Sequence, residues 1–174
     1  MSNRAEKVYQ GKALTLQLES AEFPNGVTDT LEIIRHPGGA ATVALDAADR
    51  VCLIRQFRYA ADQWLWEVPA GRLDGEEEPL MTAKRELAEE AGLEAQQWQS
   101  LGTIYPSPGI CDERIHLYLA RKFTMVEQNH EPLEFIEVHW LPFQEALRLA
   151  NRGEISDAKT LVALYRAQAY FGMP

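Results

Sequence analysis

The stretch Gly71-Arg72-Leu73-Asp74-Gly75-Glu76-Glu77 is followed, seven residues later, by Arg85-Glu86-Leu87-Ala88-Glu89-Glu90-Ala91-Gly92-Leu93. From Pro79 to Ala91 the apolar residues Leu80, Ala83, Leu87 and Ala91 recur at helical spacing and form one stripe. Pro79 suits a first helical turn, and Gly92 suits the residue just past a helix end. The segment therefore predicts loop, helix, loop. Glu86, Glu89 and Glu90 stand at i, i+3 and i+4, away from the apolar stripe. Carboxylates crowded on one face repel each other, and a divalent cation relieves that repulsion. Hard oxygen donors suit Mg²⁺ or Mn²⁺. A solvated acidic face is the ordinary meaning of a Glu-rich helix. The surrounding spacing argues against it here, because nine specified positions do not fall into register by accident.

Outward from this segment the chain alternates strand and turn signals. Leu14, Leu16 and Leu18 mark a half-buried strand over Lys12 to Leu18. Thr28 to Arg35 is a second strand, closed by Pro37-Gly38-Gly39. Ala41 to Leu45 and Val51 to Gln56 flank the turn-like Asp46 to Arg50, which predicts a hairpin. A short strand includes Trp66 to Val68, and others cover Ser100 to Tyr105, Ile115 to Ala120 and Ile136 to Trp140. Two closing helices are expected over Phe143 to Asn151 and Ala158 to Phe171, with Asp157 as an N-cap of the second. The class is α/β, layered.

The 174 residues suit one main domain, and the net charge of −9 gives little long-range attraction to nucleic acid or anionic membrane. No apolar run reaches a membrane span, and Met1 to Gln10 lacks the core of a signal peptide. Two isolated cysteines, Cys52 and Cys111, suggest reduced thiols and a cytoplasmic protein. His36, His116, His130 and His139 are scattered without ligand spacing.

The pattern of a glycine, five residues, Glu77, seven residues, then Arg85-Glu-Leu-x-Glu-Glu-x-Gly-Leu93 resembles the Nudix box at every specified position. Arg55-Gln56-Phe57-Arg58 and Trp66-Glu67-Val68-Pro69-Ala70-Gly71 look like the lead-in of ADP-ribose pyrophosphatases. Ser107-Pro108-Gly109 with Glu113, Glu134-Phe-Ile-Glu137-Val138, and Gly153 to Thr160 are also similar to that branch. The resemblance implies a Nudix α/β/α sandwich with a mixed sheet and a loop-helix-loop box over residues 41–174. Residues 1–40 are then an N-terminal strand region, open to exchange across a homodimer.

The same resemblance assigns roles. It implies Glu86 and Glu90 as metal ligands, Glu89 as a ligand directly or through water, and the Ala70 carbonyl as a further ligand. It pairs Arg85 with Glu77 and counts Arg85 and Glu89 with the catalytic machinery. The general base comes from a loop after the box, where Glu134 fits best. Pro132 stands where relatives carry the first Glu of Glu-x-Glu, which leaves Glu131 and Glu137 as lesser candidates. Arg55 and Arg58 are candidates for diphosphate or ribose, since the guanidinium fork suits phosphate. Ser107 and Glu113 join them as candidate substrate contacts. Trp64 and Trp66 stack on a base or belong to the core.

The expected activity is metal-dependent hydrolysis of the pyrophosphate of ADP-ribose to AMP and ribose 5-phosphate. GDP-mannose or another nucleotide sugar is the alternative substrate. A non-catalytic nucleotide-sensing domain of the same family is the alternative of another class, and retention of every box carboxylate argues against it. RNA cap removal fits poorly with the acidic charge.

Overall fold

A computed structural model describes residues 5–130 and 134–172. The chain opens with β1 (Ala5–Gln10), β2 (Thr15–Glu22) and β3 (Thr28–Arg35), which form their own three-stranded antiparallel sheet. The main sheet contains β4 (Gly39–Leu45), β5 (Arg50–Arg58), β6 (Gln63–Glu67), β7 (Ala70–Arg72), β8 (Leu93–Ile104), β9 (Ile115–Met125) and β10 (Ile136–Pro142). Its helices are α1 (Pro79–Ala91), α2 (Phe143–Asn151) and α3 (Ala158–Tyr170). The strand order is β10-β5-β4-β9-β8, with β4 and β9 parallel and the remaining pairs antiparallel.

The expected hairpin of β4 and β5 is present, but its ladder holds only two pairs, Ala44↔Cys52 and Leu45↔Val51. Beyond them the strands part. β6 pairs with β5 and β7 with β4, so the segment kinked at Val68-Pro69 fills the gap. The site lies where the sheet opens.

Alternation along β4 and β5 divides the core. Ala41, Val43, Leu45, Val51 and Leu53 face one cluster with Phe143, Leu147, Ala163 and Leu164 of α2 and α3. Ala44 and Cys52 face the other, against Leu87 and Ala91 of α1. Helices thus cover both faces of a mixed sheet, as the α/β/α expectation required. α1 runs over the predicted range, with Pro79 at its first turn and Gly92 past its end at φ 66°. Asp157 caps α3, accepting the Thr160 amide at 2.9 Å.

The N-terminal strands differ from expectation in two respects. β2 begins at Thr15, because Gly11 to Leu14 turns, with the Gly11 amide bonded to the Leu14 carbonyl. β1 carries no alternating apolar pattern, since all six of its residues are exposed, and only backbone pairing with β2 defines it. β8 also starts earlier than expected, at Leu93, because the mostly polar residues 94–99, with Ala95 and Trp98 among them, pair with residues 119–124 of β9. Among the described residues, no helix is long and apolar enough to cross a membrane.

Candidate active site

Burial and charge meet at α1. Glu90 is 2% exposed, and its Oε2 accepts the Ala70 amide at 2.8 Å. Burial pushes the Glu90 carboxyl up to about 8; the Ala70 hydrogen bond opposes this, and the charges of Glu86 and Glu134 add to it. Glu86 is raised for the same leading reason, burial, against the pull of Arg85 and with repulsion from Glu89 and Glu134. Three carboxylates from two distant parts of the chain therefore feel one another.

Glu134 belongs to this group by strand register. Ile136 of β10 stands opposite Gln56 of β5, and the Phe57 amide bonds the Phe135 carbonyl at 3.2 Å. Ile136, Val138 and Trp140 share the α1 side of the sheet, since Val138 and Trp140 pack into the α1 cluster. Glu134, two residues before Ile136, enters on that side. Glu137 has the opposite parity; it pairs with Arg55 and contacts His139 at 3.4 Å. The parity of β10 thus separates these two base candidates. Glu131, the third, lies outside the described residues.

Gly71 is needed here for space. A Cβ on it would come within 1.9 Å of Glu86 Oε1. The Glu86 carboxylate therefore rests against the Gly71 backbone, next to Ala70.

Arg85 is a scaffold. Its Nη1 bonds Glu86 at 2.7 Å and Glu89 at 3.0 Å, and its Nη2 bonds Glu77 and the Arg72 carbonyl, each at 3.1 Å. The expected pairing with Glu77 is present. These donors are directed at groups of the box itself. Among the described residues, no three His, Cys, Asp or Glu side chains are spaced to hold a metal ion as they stand.

Beside the carboxylates opens a cleft of about 350 Å³ lined by His36, Gly38, Gly39, Ala40, Arg58, Ala70, Gly71, Arg72, Pro106, Glu113, Ile115, Asp157, Ala158 and Lys159. Glu113 lies 3.4 Å from His36 Nδ1 at this cleft. Ser107 lies outside the lining; its carbonyl accepts the amides of Ile110 and Cys111.

Arg58 is in the cleft but already engaged. Its Nε and Nη2 both bond Glu67 at 2.7 Å. Glu67 is 1% exposed and also bonds Lys159, which bonds Asp157 at 3.0 Å. Burial alone would raise the Glu67 carboxyl, but Arg58 and Lys159 outweigh it and hold it below its usual range. The buried charge is thus compensated from both sides. Sequence reasoning gave Glu67 and Lys159 no role. The available signal was an ionisable residue in the apolar run Trp64 to Val68.

Arg55 and Trp66, expected as substrate contacts, are not brought to the cleft. They pair across β5 and β6 on the face away from α1, with the Arg55 guanidinium 5.7 Å from the Trp66 ring centroid. Trp66 packs on His139 and against the α2/α3 core cluster. Trp64 packs edge-on against Phe57.

The family model described as "NUDIX domain" matches residues 35–164, so the chain belongs to the Nudix family and is a hydrolase of that family. Within it, the chain falls in the ADP-ribose pyrophosphatase and nucleotide-sugar branch. It is 37% identical to an ADP-ribose pyrophosphatase of Bacillus subtilis over 165 residues, covering 94% of this chain and 89% of that one. It is 38% identical over 152 residues to a GDP-mannose pyrophosphatase of Escherichia coli O1:K1 / APEC, covering 76% and 78%. A crystal structure described as an ADP compounds hydrolase superposes with a TM-score of 0.83 at 20% identity, over 99% of this chain and 95% of that chain, which shows the shared fold.

Proposed function

We propose that the protein hydrolyses the pyrophosphate of ADP-ribose to AMP and ribose 5-phosphate, with Mg²⁺ or Mn²⁺ as cofactor, in the cytoplasm. The observation that carries this reading is the meeting of Glu86, Glu90 and Glu134 beside the Ala70-Gly71 wall of a cleft that also holds Arg58 and Lys159. The donor set fits a divalent cation. A buried carboxylate pushed up to about 8 beside two others is a site that gains from positive charge. Glu86, Glu90 and the Ala70 carbonyl would hold the ion, with Glu89 at the margin, where Arg85 engages it at 3.0 Å. When bound, such an ion neutralises the diphosphate and lowers the pKa of water.

The chain's own groups do the rest. Arg85 fixes the direction of Glu86 and Glu89. Arg58 and Lys159 face the cleft as cations for an anionic substrate, held in place by Glu67. Glu134 takes a proton from the attacking water. A phosphorus–oxygen bond forms to that water, the bridging bond breaks, and its electron pair leaves on the departing phosphate. Glu113 and His36 border the cleft as further substrate contacts. The matched Bacillus subtilis ADP-ribose pyrophosphatase covers 94% of this chain against 76% for the GDP-mannose pyrophosphatase at similar identity, which supports ADP-ribose as the substrate.

The working unit is a homodimer in which the first three strands contact a partner. The exposed Val8 and Tyr9 of β1, with Phe23 and Val27 at the turn between β2 and β3, support the reading. The test of substrate is a panel of ADP-ribose, GDP-mannose and UDP-glucose with Mg²⁺ or Mn²⁺, with products identified by mass. AMP and ribose 5-phosphate as the main products support the assignment; preferential release of GMP and mannose 1-phosphate overturns it.

A further inference from the structure

One buried polar side chain near the site is unexplained by the roles above. Gln56 is 5% exposed, and its Oε1 is sealed from solvent with no hydrogen-bond partner among the described residues. A buried amide oxygen without a donor is costly to the fold, so natural chains rarely keep one without cause.

Its position indicates what it faces. The β5 register is unbroken from Arg50 to Arg58, so Cys52, Ile54, Gln56 and Arg58 share the α1 side. Cys52 and Arg58 both feel the charge of Glu90, and Gln56 stands between them in this row. Across the ladder Gln56 is opposite Ile136, which makes Glu134 its diagonal neighbour. Its direct cross-strand neighbours, Ile136 and Leu65, are apolar and offer no side-chain donor, and Glu134 on the diagonal only accepts hydrogen bonds when ionised. Its natural partner is a hydrogen-bond donor on the α1 side of β5.

We infer that Gln56 is a positioning residue whose Oε1 holds the attacking water. Of the two water protons, one is directed to Glu134 and the other is held by Gln56. The oxygen lone pair is thereby aimed at phosphorus, where the new bond forms as the bridging bond breaks. This rests on the hydrolytic reading proposed above.

The test compares wild type, Gln56→Met, Gln56→Leu, Glu134→Gln and the Gln56→Met/Glu134→Gln double variant, at saturating Mg²⁺ with ADP-ribose, alongside melting temperatures. Gln56→Met and Gln56→Leu should lower kcat about tenfold to a hundredfold with KM little changed. Neither should lower the melting temperature, because each removes an unpaired buried polar atom. The second substitution should add little to Glu134→Gln, since both groups act on one water. The inference is overturned if kcat stays within about twofold of wild type, if kcat and melting temperature fall together in both variants, or if the losses multiply fully. A wild type inactive on every nucleotide sugar would instead remove the hydrolytic reading, and this inference with it.

Discussion

The Ala70 amide donates a 2.8 Å hydrogen bond to Glu90 Oε2, tying the entry of the box loop to the last turn of its helix. This bond spans 20 residues of sequence and brings the Ala70 backbone alongside a buried carboxylate. The loop-helix-loop is thereby closed on itself before any ligand arrives.

Glu90→Gln keeps the shape of that side chain and removes its charge. It should leave the fold intact, lower kcat by ~10²-fold or more, and weaken Mg²⁺ binding measured by calorimetry. EDTA should silence the wild type. Near-normal turnover of the variant at saturating Mg²⁺ would show that Glu90 holds no metal.

The raised Glu90 carboxyl has a consequence for metal-free protein. Its ordinary value is 4.5 and its folded value about 8. As pH rises through this window the unfolded chain loses its proton first, so the stability contributed by protonated Glu90 is lost toward pH 8. Glu67, held low by Arg58 and Lys159, acts in the opposite sense and loses its contribution on acidification. In EDTA, the melting temperature of wild type should therefore fall relative to Glu90→Gln from about pH 5 to about pH 8. Parallel curves would contradict the buried-carboxylate account.

Glu134→Gln should reduce kcat by ~10²–10⁴-fold with little change in KM or metal affinity. Glu137→Gln should be close to wild type, because that residue pairs with Arg55 on the other face. A large loss from Glu137→Gln with a silent Glu134→Gln would reverse the assignment. Glu131→Gln serves as the third arm.

Gly71→Ala places a methyl group 1.9 Å from Glu86 Oε1. The obstructing atom is the end of a flexible side chain, so the fold should survive with a small change in melting temperature. The displaced carboxylate should cost metal affinity, and kcat/KM should fall ~10-fold or more. Unchanged activity would mean that the Glu86 position is irrelevant to catalysis.

The dimer is tested by sedimentation. Wild type should sediment as a dimer at micromolar concentration, and removal of residues 1–37 should give a destabilised, mostly inactive species. A wild-type monomer under those conditions refutes the proposal.

Sequence alone determined the box. The apolar period, Pro79, Gly92 and the three glutamates fixed α1, its ends and its acidic face, because each is a local property of a dozen neighbouring residues. The hairpin of β4 and β5 and the Asp157 cap were legible for the same reason. Tertiary structure decided the rest. Which of Glu134 and Glu137 joins the box depends on the parity of β10 against β5, and a shift of one residue would exchange their faces. Arg55 and Trp66 stand on the face away from α1 by the same alternation. Arg58 became a partner of Glu67, and Lys159 reached the same carboxylate across 92 residues of sequence. No local pattern encodes these contacts, because they arise only when distant segments pack and a buried charge must find its counterion.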